Sequence, residues 1–338
     1  MDMRPMTPPC YFLSNAHLTF SALLALLLCS SLLPSSSSQL SPDFYTLSCP
    51  TVELLVRNTV RSASSSDPTV TGKLLRLLFH DCIVEGCDGS VLIQGNGTER
   101  SDPANKSLGG FHVVETAKRV LEVLCPGTVS CADILVLAAR DAVEIAGGPF
   151  VQVPLGRKDG RISSASNVRP NMIDTSFSLD EMAKLFSSKG LSIDDLVILS
   201  GAHTIGSAHC SSFSERFQQD SKGSLVPIDS SLDKNYATEL IKKCPADASP
   251  TVSVDNDPVT ASLFDNQYYI NLVNGMGLFQ SDSVLANDSR TKGTVEDFSV
   301  SQDSFFSRWA ESFVKLSSIE VKTGDDGEIL SSCSSLNG

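Results

Sequence analysis

A chain of 338 residues can bury a full core without metals or crosslinks, so its ten cysteines are not props for a mini-protein. Twenty-six Lys and Arg against 39 Asp and Glu leave a net charge of −13, which argues against the basic footprint of a nucleic-acid or anionic-lipid binder. With 41% hydrophobic and 19% charged residues the composition is that of a folded globular protein, not a disordered chain.

Residues 1–38 carry Arg4, a leucine-rich run from Leu18 to Leu33 and a serine-rich end. That is the order of a secretory signal peptide, and the apolar run is short for a membrane span. The mature chain is then expected to start near Gln39, with an uncleaved signal anchor as the alternative. No later segment is apolar enough to span a bilayer, and no repeat or long linker interrupts residues 39–338, which read as one domain of two intimately packed helical halves. Asp67-Pro68 reads as an N-cap and first-turn proline ahead of Leu74, Leu75, Leu77, Leu78 and His80. Val113, Val114, Ala117, Val120, Leu121 and Leu124 recur at three and four, predicting a helix ended by Cys125-Pro126-Gly127. Ser130/Asp133, Ser178/Glu181 and Ser192/Asp195 each have capping-box spacing. The stretch from Val151 to Pro154, before the Gly156-Arg157 turn, is the one strand signal and predicts an arm of a short hairpin. Phe305, Phe306, Trp309, Phe313 and Leu316 form a last apolar stripe, read as core. The pattern is all-α with a minor short β-hairpin.

Removing the leader leaves eight cysteines, an even number that in a secreted chain predicts four disulfides. They allow on the order of a hundred pairings, and only Cys82/Cys87 looks local. Asn96, Asn105 and Asn287 open glycosylation sequons. Four histidines remain: His80, His112, His203 and His209. Arg76 and His80 are four apart and share a helix face, where a neutral imidazole and a fixed cation suit peroxide chemistry. The imidazole moves a proton between the two oxygens, while guanidinium offsets the charge released as the O–O bond breaks. The bland alternative is a solvated helix face. His203 lies between Gly201 and Gly206; these glycines permit close approach by something large and flat, and a single axial histidine is one way haem iron is held. A carboxylate is then expected on its other ring nitrogen, though spacing does not pick one.

Five ordered blocks make the comparison specific. Residues 76–87 (RLLFHDCIVEGC), 129–140 (VSCADILVLAAR), 148–159 (GPFVQVPLGRKD), 195–206 (DLVILSGAHTIG) and 264–282 (FDNQYYINLVNGMGLFQSD) resemble the motif series of the secreted plant haem peroxidases, class III. The likeness runs from Gln39 to about Cys333. It implies the all-α haem-peroxidase fold of about ten or more helices, with one haem b between two packed halves and two calcium ions.

By this resemblance Arg76 and His80 form the distal pair, with Phe79 closing the pocket. His203 holds the iron, and Asp282 lends it imidazolate character. Asp81, Val84, Gly86, Asp88 and Ser90 match the distal calcium loop; Thr204, Asp257, Thr260, Leu263 and Asp265 match the proximal one, with Val84, Gly86 and Leu263 offering carbonyls. Such oxygen-only sets suit calcium. Implied disulfides join Cys49 to Cys125, Cys82 to Cys87, Cys131 to Cys333 and Cys210 to Cys244, and Gln39 becomes a cyclised N-terminus. The family's Pro-Asn pair is interrupted here by Ala104, so Asn105, six residues after Glu99, is the candidate to orient His80. A glycan on Asn105 is incompatible with that role. The substrate-side segment reads Asn167-Val168-Arg169-Pro170, with its proline displaced by one, which makes Arg169 and Pro170 candidate donor contacts. Ala261 replaces a usual proline, and His112 and His209 match no catalytic position. The implied partners are hydrogen peroxide and small phenolic donors acting on a secreted monomer of the cell wall or apoplast, ahead of the vacuole, with neither nucleic acid nor membrane. Two competing readings are a secreted calcium-bound scaffold without turnover and an acidic glycoside hydrolase, for which no carboxylate pair stands out.

Overall fold

The computed structural model describes residues 40–338; the leader assigned to residues 1–38 and Gln39 lie outside them. Among the described residues there are twelve α-helices and four three-residue strands.

Four helices form the first group: α1 (Val52–Ser66), α2 (Val70–Val84), α3 (Phe111–Leu124) and α4 (Cys131–Ile145). Helix α4 packs on the other three, so Ala132 to Val143 is buried all round rather than striped. Helix α2 starts two residues later than the Asp67-Pro68 signal suggests. Asp67 closes a turn instead, accepting the N–H and hydroxyl of Thr69, and its carbonyl takes the first helical N–H, that of Val70. The short α5 (Val168–Asn171) follows, laid against α2 through Val168, Ile83 and Val84.

The second group is α6 (Leu179–Ser188), α7 (Ile193–Ser200), α8 (Lys234–Lys243), α9 (Gln267–Val273), α10 (Gln280–Asn287), α11 (Lys292–Val300) and α12 (Gln302–Leu316). Helices α6 and α7 begin with full reciprocal boxes, Ser178/Glu181 and Ser192/Asp195, which satisfy otherwise orphaned N–H groups at each start. At α4 only half the box forms. Ser130 accepts the Asp133 N–H, but the Asp133 carboxylate is occupied by Tyr45, the Gly156 N–H and the buried Arg157 guanidinium. Arg157 also donates to the Ser317 carbonyl at the end of α12. This buried pair thus ties the start of one helix to the end of another, and its hydrogen bonds offset the desolvation of both charges.

The stretch from Val151 to Pro154 forms no strand. Val151 and Val153 point inward, but its neighbour Leu155 makes only an isolated bridge to Ser41, so no ladder exists to extend. The strands lie later: β1 (Ser207–His209) pairs antiparallel with β4 (Ser253–Asp255), and β2 (Phe217–Gln219) with β3 (Leu225–Pro227). One apolar core runs through both helical groups, from Tyr45 to Cys333, and includes the stacked and edge-on rings of Phe264, Phe305, Trp309 and Phe313. A smaller core under α8 holds Phe213, Tyr236, Leu240 and Phe279. Disulfides join Cys49–Cys125, Cys82–Cys87, Cys131–Cys333 and Cys210–Cys244. No helix among the described residues is long and apolar enough to cross a membrane.

Candidate active site

Helix α2 sets out Gly72, Arg76 and His80 at intervals of four, one above another on a single face, each step rising about 6 Å. Arg76 Nε donates to His80 Nε2 at 3.2 Å, and its other nitrogens reach the Ser107 hydroxyl and carbonyl and the Ala104 carbonyl. On the far side of the ring, His80 Nδ1 lies 2.7 Å from Asn105 Oδ1. The Asn105 amide nitrogen donates to the Glu99 carbonyl at 2.9 Å, so its oxygen faces the histidine. His80 therefore carries its proton on Nδ1 and keeps the Nε2 lone pair as an acceptor. Burial, and then the Arg76 cation, depress the His80 pKa to about 3 against the raising effect of the Asn105 bond.

The extra Ala104 is absorbed by a single 3₁₀ turn, Pro103–Asn105, capped by the Asp102 carboxylate on the Ala104 N–H. Asn105 is only 1% exposed, which leaves no room for a glycan; Asn96 and Asn287 are exposed. Glu99 holds Asn105 through its main chain, not its carboxyl. That carboxyl is buried without a hydrogen-bond partner, and its pKa is pushed up to about 8 by burial.

Phe79 stands edge-on to His80 and near Phe186 of α6. Val168, in the same short helix as Arg169 and Pro170, shares with Ile83 and Val84 the small apolar cluster against which Phe79 and Ala104 pack. Arg169 and Pro170 are exposed, and Arg169 Nε lies 3.7 Å from Asp102.

His203 sits in the 3₁₀ turn Gly201–Thr204 that continues α7. Its Nδ1 is 2.8 Å from Asp282 Oδ1 in the first turn of α10. Asp282 is itself fixed by the Phe279 N–H and by the Tyr268 hydroxyl, 2.9 Å away. Tyr268 is a functional neighbour that the sequence reading missed; it lies inside the 264–282 block, but nothing in its spacing points it at Asp282. The other His203 ring nitrogen makes no hydrogen bond among the described residues, and the side chain is 37% exposed. A carboxylate-oriented imidazole with a free nitrogen fits an axial haem ligand.

The glycines flanking His203 have protein neighbours of their own. A methyl on Gly201 would strike the Tyr269 hydroxyl and the Phe305 ring, while Gly206, at φ +95°, has its backbone against that of Gly72. They allow internal close packing, and the contact with Gly72 brings the His203 turn to the same face of α2 that carries Arg76 and His80.

Two oxygen-rich clusters flank the histidines. In the first, the Asp81 carboxylate takes the N–H groups of Gly89 and Val91, and Asp88 takes that of Ser90. Ser90 Oγ is buried with no partner, and burial beside Asp88 raises the Asp81 pKa well above its usual value. The Val84 carbonyl accepts from Lys189, and Gly86 holds the left-handed φ of +91° that turns this loop. In the second, the Thr204 and Thr260 hydroxyls both donate to Asp265 Oδ1, and Thr260 also to Asp257. The Leu263 N–H bonds the Thr260 carbonyl and its side chain is exposed. Among the described residues no three His, Cys, Asp or Glu side chains converge as a metal-ligating group. Both clusters are instead mixtures of carboxylate, hydroxyl and main-chain oxygen, and the unpartnered buried oxygens of the first are what a hard cation would satisfy.

A family model described as Peroxidase matches residues 56–301. Peroxidase 18 of Arabidopsis thaliana is 62% identical over 328 residues, covering 97% of this chain and 99% of that protein. Peroxidase 46 of the same plant is 61% identical over 324 residues, covering 96% and 99%. Peroxidase 1 of Oryza sativa subsp. japonica is 42% identical over 321 residues, covering 93% and 98%. Since these matches run through α2, the His203 turn and Asp282 alike, the chain belongs to the plant class III haem peroxidases and is a peroxidase enzyme.

Proposed function

We propose that the protein binds one haem b and two calcium ions, reduces hydrogen peroxide to water, and oxidises two phenolic donors by one electron each. The balance is one peroxide and two donors giving two waters and two donor radicals, with lignin, suberin and other wall phenolics and auxin within the donor class. The carrying observation is the chain Arg76–His80–Asn105–Glu99 carbonyl, which leaves His80 neutral with an acceptor nitrogen toward the guanidinium.

When bound, haem supplies the redox iron that peroxide oxidises and donors re-reduce. His203 holds it through the free ring nitrogen, and Asp282 with Tyr268 fixes the imidazole's plane and keeps its Nδ1 proton engaged. His80 Nε2 would take a proton from one peroxide oxygen and return it to the other, which would leave as water. Arg76 offsets the negative charge that builds on that leaving oxygen. Phe79 restricts access to the pair, and Arg169 with Pro170 borders the donor approach. Asp81, Asp88 and Ser90 with the Val84 and Gly86 carbonyls hold one calcium. Thr204, Asp257, Thr260, Asp265 and the Leu263 carbonyl hold the other. The protein works as a secreted monomer of the apoplast after loss of residues 1–38, with Gln39 as the new terminus.

The test is stopped-flow absorption of the haem- and calcium-loaded protein mixed with one equivalent of peroxide. The expected result is a fast change in the Soret band that reverts in two steps on adding a phenol, and its near-complete loss in His80→Ala. A native haem spectrum that ignores peroxide, or full activity in His80→Ala, overturns the assignment.

A further inference from the structure

Beside the first oxygen cluster lies a charge that the peroxide cycle does not use. Lys322 Nζ is 2.6 Å from Asp88 Oδ2; the lysine side chain is 28% exposed and the aspartate 1%. Lys322 arrives there on a segment held against the 84–88 loop and against Lys158. The Cys87 N–H bonds the Ile319 carbonyl, and the Lys158 N–H bonds that of Lys322. Between them Glu320 has a φ of 45°, the one non-glycine residue in the left-handed region among the described residues. A side chain at Gly86 would collide with the Glu320 backbone. The Glu320 carboxylate meets Lys189, which also donates to the Val84 carbonyl. Backbone strain of this kind persists only where surrounding contacts over-determine it.

The cluster facing Lys322 contains three buried carboxylates, Asp81, Asp88 and Glu99, with Glu85 nearby, and the oxygens of Ser90 and Glu99 lack partners. We infer that Lys322 is a built-in cation of this cluster, holding the 84–88 loop in shape without calcium and competing with calcium for Asp88. The inference rests on the calcium assignment given above. The ammonium reaches Asp88 alone, and the unpartnered oxygens of Ser90 and Glu99 are left for a second cation to satisfy. Both would claim the Asp88 carboxylate, so calcium entry would displace the ammonium toward the solvent that its 28% exposure already offers. The outcome is a site whose emptying is tolerated and whose calcium affinity is set below what its oxygens alone would give.

The test compares wild type, Lys322→Met and Lys322→Arg as full-length haem-loaded proteins, by competition with a fluorescent calcium chelator and by melting in excess chelator and in millimolar calcium. In Lys322→Met one calcium class should bind about tenfold tighter, the order expected for removing a unit charge a few ångströms away in a partly screened cluster. The same variant should melt lower than wild type in chelator but not in calcium, while Lys322→Arg keeps the smaller wild-type calcium response. Unchanged affinity together with an unchanged calcium-dependent melting shift in Lys322→Met overturns the inference. An Asp88→Asn protein is the separate check on the calcium assignment: if it holds as much calcium as wild type, that assignment fails and the inference falls with it.

Discussion

Replacing Asn105 with leucine keeps the shape of the side chain and removes both of its polar atoms. One buried group then loses its partner, the His80 Nδ1–H, while the Glu99 carbonyl loses one of two donors and keeps the Asp102 N–H. An unsatisfied buried group costs about 1–3 kcal/mol, and folding stability is expected to fall by that order. The part of that loss borne by the orientation and tautomer of His80 slows peroxide cleavage, and at 1.4 kcal/mol per factor of ten it predicts a drop of about 10- to 100-fold. The assay is the second-order rate of the Soret change with peroxide, taken beside a haem spectrum and a melting curve. The pH profile gives an independent sign. His80 titrates at about 3, depressed first by burial and next by Arg76, so the wild-type rate should be flat above about pH 4 and fall as pH drops through 3. The Asn105 acceptor favours the charged ring, so its loss moves the acid limb lower still. Because the folded value lies below the ordinary value near 6.5, the matching stability term is complete above about pH 6.5 and shrinks as pH falls toward 3. A variant with native haem that reacts within twofold of wild type, or whose acid limb moves up toward 6.5, refutes the reasoning.

Asp282→Asn should weaken haem retention or activity by about 10- to 100-fold and shift the reduction potential upward, read by spectroelectrochemistry, because the imidazole becomes a poorer donor. Burial works to raise the Asp195 pKa, but bonds from Lys315, Ser192 and Ser312 hold it at about 2. Its contribution is therefore present above about pH 4 and lost between pH 4 and 2; Asp195→Asn should flatten the fall in melting temperature over that window. Trp309, the single tryptophan, is 1% exposed among Phe264, Phe305 and Phe313, so Trp309→Ala should cost about 3–5 kcal/mol in a denaturant titration; a loss under 1 kcal/mol would show that the cavity collapses.

What sequence could reveal follows from how local each determinant is. Helix geometry alone places Arg76 and His80 on one face, and the Ser178/Glu181 and Ser192/Asp195 boxes are complete within four residues, so both were legible. The Ser130/Asp133 box was half wrong because Asp133 has a stronger call from Arg157, 24 residues away. The Val151–Pro154 strand failed for a similar reason: alternation marks buried faces, but a strand needs a partner edge, and the partner is absent. Tyr268 and the main-chain role of Glu99 were invisible because side-chain identity does not reveal a hydroxyl's direction or a carbonyl's. Sequence also does not show that Gly201 packs against Tyr269 and Phe305 or that Gly206 lies against Gly72, since those partners are distant in the chain.

The meeting of Gly72 with Gly206 has a consequence for tolerance. With no side chain on either partner, the approach of α2 to the His203 turn is set by hard atomic radii and offers no rotamer to adjust. It acts as a mechanical stop: core residues elsewhere can drift and repack while the gauge between the two histidine-bearing segments stays fixed. A single methyl group at Gly72 would fall 2.8 Å from the Gly206 Cα, and the only relief is to open that gauge.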